Sequence, residues 1–257
     1  GQGMTFSEFR EYVPGDDIRA ISWPLTARTG KTFIKKYDEE REMTLILAVD
    51  VSGSEDFGSQ NYFKGEVIAH LAALLGFSAS KNNDPVGLLL FSDQVEHYVP
   101  PKKGHGQIHR ILRDLYYFRP KSRKTNISVA LEFLQGVLKK RSNVFIFSDF
   151  FDEGYDKPLR MMGQKHDTVS VIVNDPLELE LPDLGLVDLQ DAETGEIVTI
   201  DTSSKLFRQY YRETLLKSQE ERDRNLKRTQ IDKIEVNTDN DFTAPLIAFF
   251  KKRNRSR

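Results

Sequence analysis

The chain has 257 residues and no cysteine. Disulfide frameworks, thiolate zinc sites, iron–sulfur clusters and cysteine nucleophiles are therefore excluded, and a reducing, cytoplasmic setting is expected. No stretch approaches the roughly eighteen consecutive apolar residues of a membrane-spanning helix, so no such segment is predicted. Charge of one sign is also lacking. Lys and Arg number 37 and Asp and Glu 39, a formal net charge of −2, which argues against a dedicated nucleic-acid binder. A Gly-x-x-x-x-Gly-Lys-Ser/Thr loop is missing, which excludes a P-loop ATPase, and so is a Gly-x-Ser-x-Gly elbow, which argues against an α/β-hydrolase. The opening Gly1-Gln2-Gly3-Met4 has neither the basic nor the apolar region of a signal peptide. Because it does not begin with Met, an upstream piece, a membrane anchor included, can precede it.

What is present is a globular composition, 30% charged and 39% hydrophobic, in a chain long enough for one or two domains and a full core. Residues 1–42 are polar, aromatic and without clean periodicity. Apolar runs at 44–49 and 85–91 predict strands buried on both faces, 143–148, 168–173 and 231–236 read as further strands, and 94–99 as a short edge strand. Between them, helices are expected over 61–81, 104–117, 126–141, 157–164 and 203–228, with a last helix capped by Asp241. In the first of these, Phe63, Val67, Leu71, Leu74 and Ser78 recur at spacings of three and four and predict the inward stripe. In the last, Leu246, Ile247, Phe249 and Phe250 are expected on the apolar side, and the basic end over 251–257 complements the helix dipole. Strands alternating with helices imply an α/β fold: a doubly wound, mostly parallel sheet with helices on both faces. Residues 174–201 interrupt the rhythm with nine acids and no base, and 186–190 and 197–201 read as a hairpin around Glu193-Thr194-Gly195-Glu196.

Ligands of such sheets gather beyond the carboxyl ends of the strands, and three loops there hold oxygen donors. The first strand runs into Asp50-Val51-Ser52-Gly53-Ser54, whose alternate residues project to one side. Thr125 precedes the helix at 126. Asp149 follows the strand at 143–148. Two carboxylates and three hydroxyls are hard donors, suited to Mg²⁺ or a similar ion such as Mn²⁺ and unsuited to zinc. The two carboxylates neutralise a divalent cation, and a position left to water can accept a further carboxylate from a partner. No histidine lies in these loops to act as a hydrolytic base. The competing reading of the same residues is helix capping by Asp50, the serines and Asp149.

Asp50, Ser52, Ser54, Thr125 and Asp149, in this order and strand context, resemble the metal-ion-dependent adhesion site of von Willebrand factor A domains. The resemblance implies that fold over roughly 43–257 and a bound Mg²⁺. It departs at Glu55, where many relatives have Met. The segment Phe9-Arg10-Glu11-Tyr12-Val13-Pro14-Gly15-Asp16-Asp17-Ile18-Arg19-Ala20-Ile21-Ser22-Trp23, with Thr26-Ala27-Arg28-Thr29-Gly30, resembles the signature of the bacterial "domain of unknown function fifty-eight" family. Asn82-Asn83-Asp84, 99–104 and Ser148-Asp149-Phe150 extend the resemblance over nearly the whole chain. Members join this signature to a von Willebrand factor A-like domain and are typically encoded beside MoxR-type AAA+ ATPases, which implies such an ATPase as partner. No reaction is implied. Arg10, Asp16, Asp17, Arg19 and Arg28, beside Trp23 and Tyr12, predict a partly buried ion-pair network that docks residues 1–42 onto the sheet, with a second partner surface as the alternative.

The expected function is a non-enzymatic, metal-dependent protein-interaction module, an adaptor for a MoxR-type ATPase in protein assembly or maturation. A Mg²⁺-dependent hydrolase, phosphatase or nuclease, using the same ion is the rival, and a scaffold with a vestigial loop is a third reading. His105 and His109 stand four apart but have no third ligand nearby and read as surface histidines, and Gly104-His105-Gly106 reads as a turn. The acidic stretch 174–201 reads as an internal match to the basic helix that follows it or as a solvated surface, with a docking site for a basic partner as the alternative.

Overall fold

The computed structural model describes residues 4–39, 42–52, 63–179, 181–190 and 197–255. The chain forms two compact units, Gly1–Glu42 and Met43–Arg257.

In the first unit, β1 (Met4–Glu11) and β2 (Phe33–Glu39) pair antiparallel, with a register shift between Phe6 and Glu8. A short 3₁₀ turn, Ile18–Ala20, and α1 (Trp23–Thr29) connect them, and α1 ends on Gly30 at φ +70°, where a side chain would be strained. The signature charges act locally. Arg10 grips both oxygens of Asp16 at 2.7 and 3.0 Å, and the Val13 N–H donates to the same carboxylate. Asp17 caps the 3₁₀ turn by accepting from the Arg19 N–H at 2.9 Å. The expected network is thus an exposed one, with only Asp16 half-buried, and Arg28 takes no part in it among the described residues.

The second unit is built on six strands: β3 (Thr44–Asp50), β4 (Val86–Phe91), β5 (Val95–Lys102), β6 (Ser142–Phe147), β7 (Asp167–Asn174) and β10 (Asp232–Asn237). Their order is β10-β7-β6-β3-β4-β5, parallel except for the edge strand β5. This is the predicted doubly wound α/β sheet. Alternate residues of the central strands feed two cores. Leu45, Leu47 and Val49 pack with residues of α2 (Lys64–Lys81), α3 (His105–Tyr117) and α8 (Thr243–Arg255), while Ile46 and Ala48 pack with α4 (Ile127–Val137), α5 (Asp156–Lys165) and α7 (Lys205–Thr229). Burial on both faces is why these strands read as unbroken apolar runs. A four-residue helix, α6 (Pro176–Leu179), and the antiparallel pair β8 (Leu186–Gln190) and β9 (Ile197–Asp201) occupy the acidic stretch. The turn predicted at 193–196 lies outside the described residues.

Three expectations are corrected. α2 buries Val67, Ile68, Leu71, Ala72, Leu75, Gly76 and Ala79, whereas Phe63, Leu74 and Ser78 face outward. The helix is apolar on several sides, so its spacing did not select the face, and Gly76 is the position that admits Ile108 of α3. α4 stops at Val137, four residues early, as Leu138 turns extended and leads to β6. Among the described side chains of α8, Leu246 alone is buried. Phe249 is half-buried, and Ile247 and Phe250 are exposed, although the Asp241 cap is in place at 2.9 Å from the Thr243 N–H. Between the acidic stretch and α7, Arg208 pairs with Asp183 at 3.1 Å. Among the described residues no helix is long and apolar enough to cross a membrane.

Candidate metal centre

The strand order reverses between β3 and β6: the chain leaves one toward α2 on one face of the sheet and the other toward α5 on the opposite face. Connecting loops diverge at such a switch point and leave a crevice beyond the strand ends. Asp50 ends β3, and Asp149 lies two residues past β6. The parallel register pairs Val49 with Phe147 and so brings Asp50 level with Ser148.

Asp50 is fully buried. One carboxylate oxygen accepts the Ser52 N–H at 3.0 Å, and the other accepts the Ser148 hydroxyl at 2.8 Å. Burial, and then the charge of Asp149, push its carboxyl up to about 7 despite these bonds. Asp149 is itself nearly buried and accepts the Phe151 N–H at 3.1 Å. Among the described residues, no Lys or Arg head pairs with either carboxylate.

The third loop is held in an uncommon shape. Phe150 stands at φ +58°, a left-handed conformation that costs a bulky residue about 1–3 kcal/mol. Its fixings come from elsewhere in the chain. The Tyr155 hydroxyl donates to the Phe150 carbonyl at 3.3 Å, with the two rings edge to face, and the Phe150 N–H donates to the Ser148 hydroxyl. From α7, the buried guanidinium of Arg222 donates to the Asp149 carbonyl at 3.4 Å and lies 5.2 Å over the Phe151 ring. Glu235 and Asp223 hold the same guanidinium at 3.4 and 3.3 Å.

The second loop is tied through its backbone to the end of β4 and to the third loop. The Asn126 N–H donates to the Ser92 carbonyl at the end of β4, and the Ile127 N–H donates to Asp152 at 2.8 Å. Upstream, Glu96 accepts from the Ser92 hydroxyl and from the Lys121 and Ser122 N–H groups, each within 3.1 Å. Burial alone would raise its carboxyl, but these donors and Gln94 hold it below the usual range.

Of the five donors predicted from sequence, Asp50, Ser52 and Asp149 stand together. Thr125 is on the tied second loop, half-buried, and its hydroxyl makes no hydrogen bond to either carboxylate among the described residues. Ser54 lies outside the described residues. Ser148, Asp152, Glu96 and Arg222 were not singled out as site residues. Arg222 is 73 positions from Asp149 in a highly charged helix and gave no local signal. Two adjacent buried carboxylates with no Lys or Arg head on either among the described residues, and with the Ser148 hydroxyl on one of them, fit a hard divalent cation. Among the described residues no three His, Cys, Asp or Glu side chains gather, so such a centre depends on its hydroxyls. His105 and His109 are exposed on α3 against Phe77, as expected.

The family model described as "Protein of unknown function DUF58" matches residues 8–221. The Mycobacterium tuberculosis (strain H37Rv) "Uncharacterized protein Rv1480" is 30% identical over 258 residues, spanning 99% of this chain and 81% of that protein. Among solved structures, the conserved hypothetical protein BatB from Bacteroides thetaiotaomicron is similar at a TM-score of 0.55 and 15% identity, over 83% of this chain and 98% of that one. That likeness concerns the fold alone. The SpRpn10 VWA domain matches at a TM-score of 0.40 and 14% identity, over 51% of this chain and 75% of its own.

Proposed function

We propose, for a chain that belongs to the DUF58 family, that it is a non-enzymatic protein-interaction module whose second unit grips an acidic side chain of its partner through a bound Mg²⁺ or Mn²⁺. Asp50, Ser52 and Asp149 would hold the ion, with Thr125 and Ser54 completing the set, and the ion would supply a positive, oxygen-seeking point at the rim of the sheet. The observation that carries this reading is the pair of buried carboxylates, Asp50 and Asp149, with no cationic side chain on either among the described residues. Two negative charges facing each other out of water need a cation or a proton. The chain's own part is to keep the carboxylates converged: Ser148 and the Ser52 amide fix Asp50, while Arg222 and Tyr155 fix the backbone that carries Asp149.

The partner follows from the family resemblance, which favours a MoxR-type AAA+ ATPase, with the chain as its adaptor in protein assembly or maturation. Surface plasmon resonance between the immobilised chain and the purified MoxR-type ATPase of the same organism tests it. Binding is expected in Mg²⁺ and lost both in EDTA and with Asp50→Asn. Equal binding in EDTA contradicts the metal-dependent grip.

A further inference from the structure

Beside the proposed cation lies a second feature that the five donors do not use. A cleft of about 360 Å³ opens next to Asp50 and Ser52, walled by Phe63 at the start of α2 and by Tyr116, Phe118 and Arg119 at the end of α3. Its volume is at the small end for ligand clefts, room for one large anchor side chain and its neighbours. Phe63 is 55% exposed and Tyr116 63% exposed, although the latter's edge-to-face partner Tyr117 is available at 5.2 Å. Aromatic rings kept in water beside a polar centre mark an interaction surface.

The cleft wall carries one cation, Arg119, and, besides Asp50, the acid Glu66, which accepts the Phe63 N–H at 3.0 Å at the start of α2; the loop that leaves the cleft after Arg119 is cationic. Arg119, Lys121, Arg123 and Lys124 are all exposed, and none forms an ion pair among the described residues. Arg119 only donates to the carbonyl of its neighbour Phe118. The loop that carries them is nonetheless fixed, because Glu96 accepts from the Lys121 and Ser122 N–H groups at 3.1 Å. Four cations with no ion pair among the described residues thus sit on a fixed loop that runs from the cleft wall at Arg119 toward Thr125, in a protein of net charge −2.

We infer that this cleft and loop form a docking groove for an acidic segment of a partner protein, with one aromatic or branched aliphatic side chain seated in the cleft and acidic residues on either side of it. The inference rests on the reading that Asp50 and Ser52 help to hold a cation, and it adds what flanks the acidic residue gripped there. Charge complementarity selects an acidic occupant. The single apolar slot favours a peptide anchor over a nucleic-acid strand, which would need a row of stacking platforms.

A random-sequence dodecapeptide phage library, panned on the whole protein in Mg²⁺, provides the probe. Enriched sequences are resynthesised with a fluorescent label and measured by anisotropy. They are expected to place Asp or Glu beside an aromatic or branched residue. Tyr116→Ser and Arg119→Glu, both at exposed positions, are each expected to weaken binding about tenfold or more, with unchanged thermal unfolding. Loss in those variants with full binding retained in EDTA upholds the groove and removes the cation. Loss in EDTA with full binding by both variants overturns the groove and keeps the cation. An empty selection, or enriched sequences without acids or without an apolar anchor, overturns it. So does labelled oligothymidylate bound with the same Tyr116 dependence, or self-association abolished by Asp188→Lys in the acidic hairpin, since either assigns the groove to another occupant.

Discussion

At Asp50 two demands meet. The Ser52 amide and the Ser148 hydroxyl favour the carboxylate, while burial and the neighbouring Asp149 resist it, and the group titrates near 7 instead of 3.8. Without metal, the folded protein therefore keeps a proton that the unfolded chain has already released. The stability tied to that proton is complete below 3.8 and is lost as the pH rises through about 7. In EDTA the melting temperature is expected to fall between about pH 5 and about pH 8. Asp50→Asn, which keeps the shape without the charge, flattens that fall, and Mg²⁺ restores the wild type at the alkaline end. Identical profiles for the two proteins in EDTA contradict the buried, charge-opposed Asp50 described here. The pairing of residue types was readable from sequence, because Asp-x-Ser-x-Ser after an apolar strand places donors at a strand end. The electrostatic opposition was not, since it depends on a register between strands almost a hundred residues apart.

Among the elements, α7 has a task that its sequence conceals. Its run of alternating charges looks like a solvated surface, yet Arg222 turns inward, donates to the Asp149 carbonyl and covers Phe151. The left-handed Phe150 between those residues depends on such fixings. Replacing Arg222 with Met keeps much of the packing but leaves that carbonyl and Glu235 without their buried donor. A stability loss of about 1–3 kcal/mol is expected, together with Mg²⁺ affinity lowered about threefold to tenfold by calorimetry. Unchanged affinity with the stability loss would reduce Arg222 to a purely structural residue. The same scale shows where periodicity reads well. Strands β3, β4, β6 and β7 were plain because burial on both faces fills their middles mostly with apolar residues. In α2, apolar residues ring the helix, and the buried face is chosen by the sheet and by Ile108 rather than by spacing. β1 and β2 escaped because the charged residues in their sequences break any apolar run.

For the whole molecule, a nearly balanced net charge conceals segregation. Acids fill 174–201 without a base, whereas four cations crowd residues 119–124 beside the candidate centre. The strand order β10-β7-β6-β3-β4-β5 sets that centre at the point where the connections diverge, so fold and site are one consequence of the same topology. The family shares this chain over most of its length, and the doubly wound sheet was legible from alternating strands and helices alone. A divalent cation held between Asp50 and Asp149 is the centre of the proposed function. Isothermal titration of the EDTA-stripped, dialysed protein with Mg²⁺ tests it most directly. One ion per chain is predicted for the wild type, with heat lost in both Asp50→Asn and Asp149→Asn while their far-ultraviolet circular dichroism stays native. A flat wild-type titration, repeated with Mn²⁺, would contradict it.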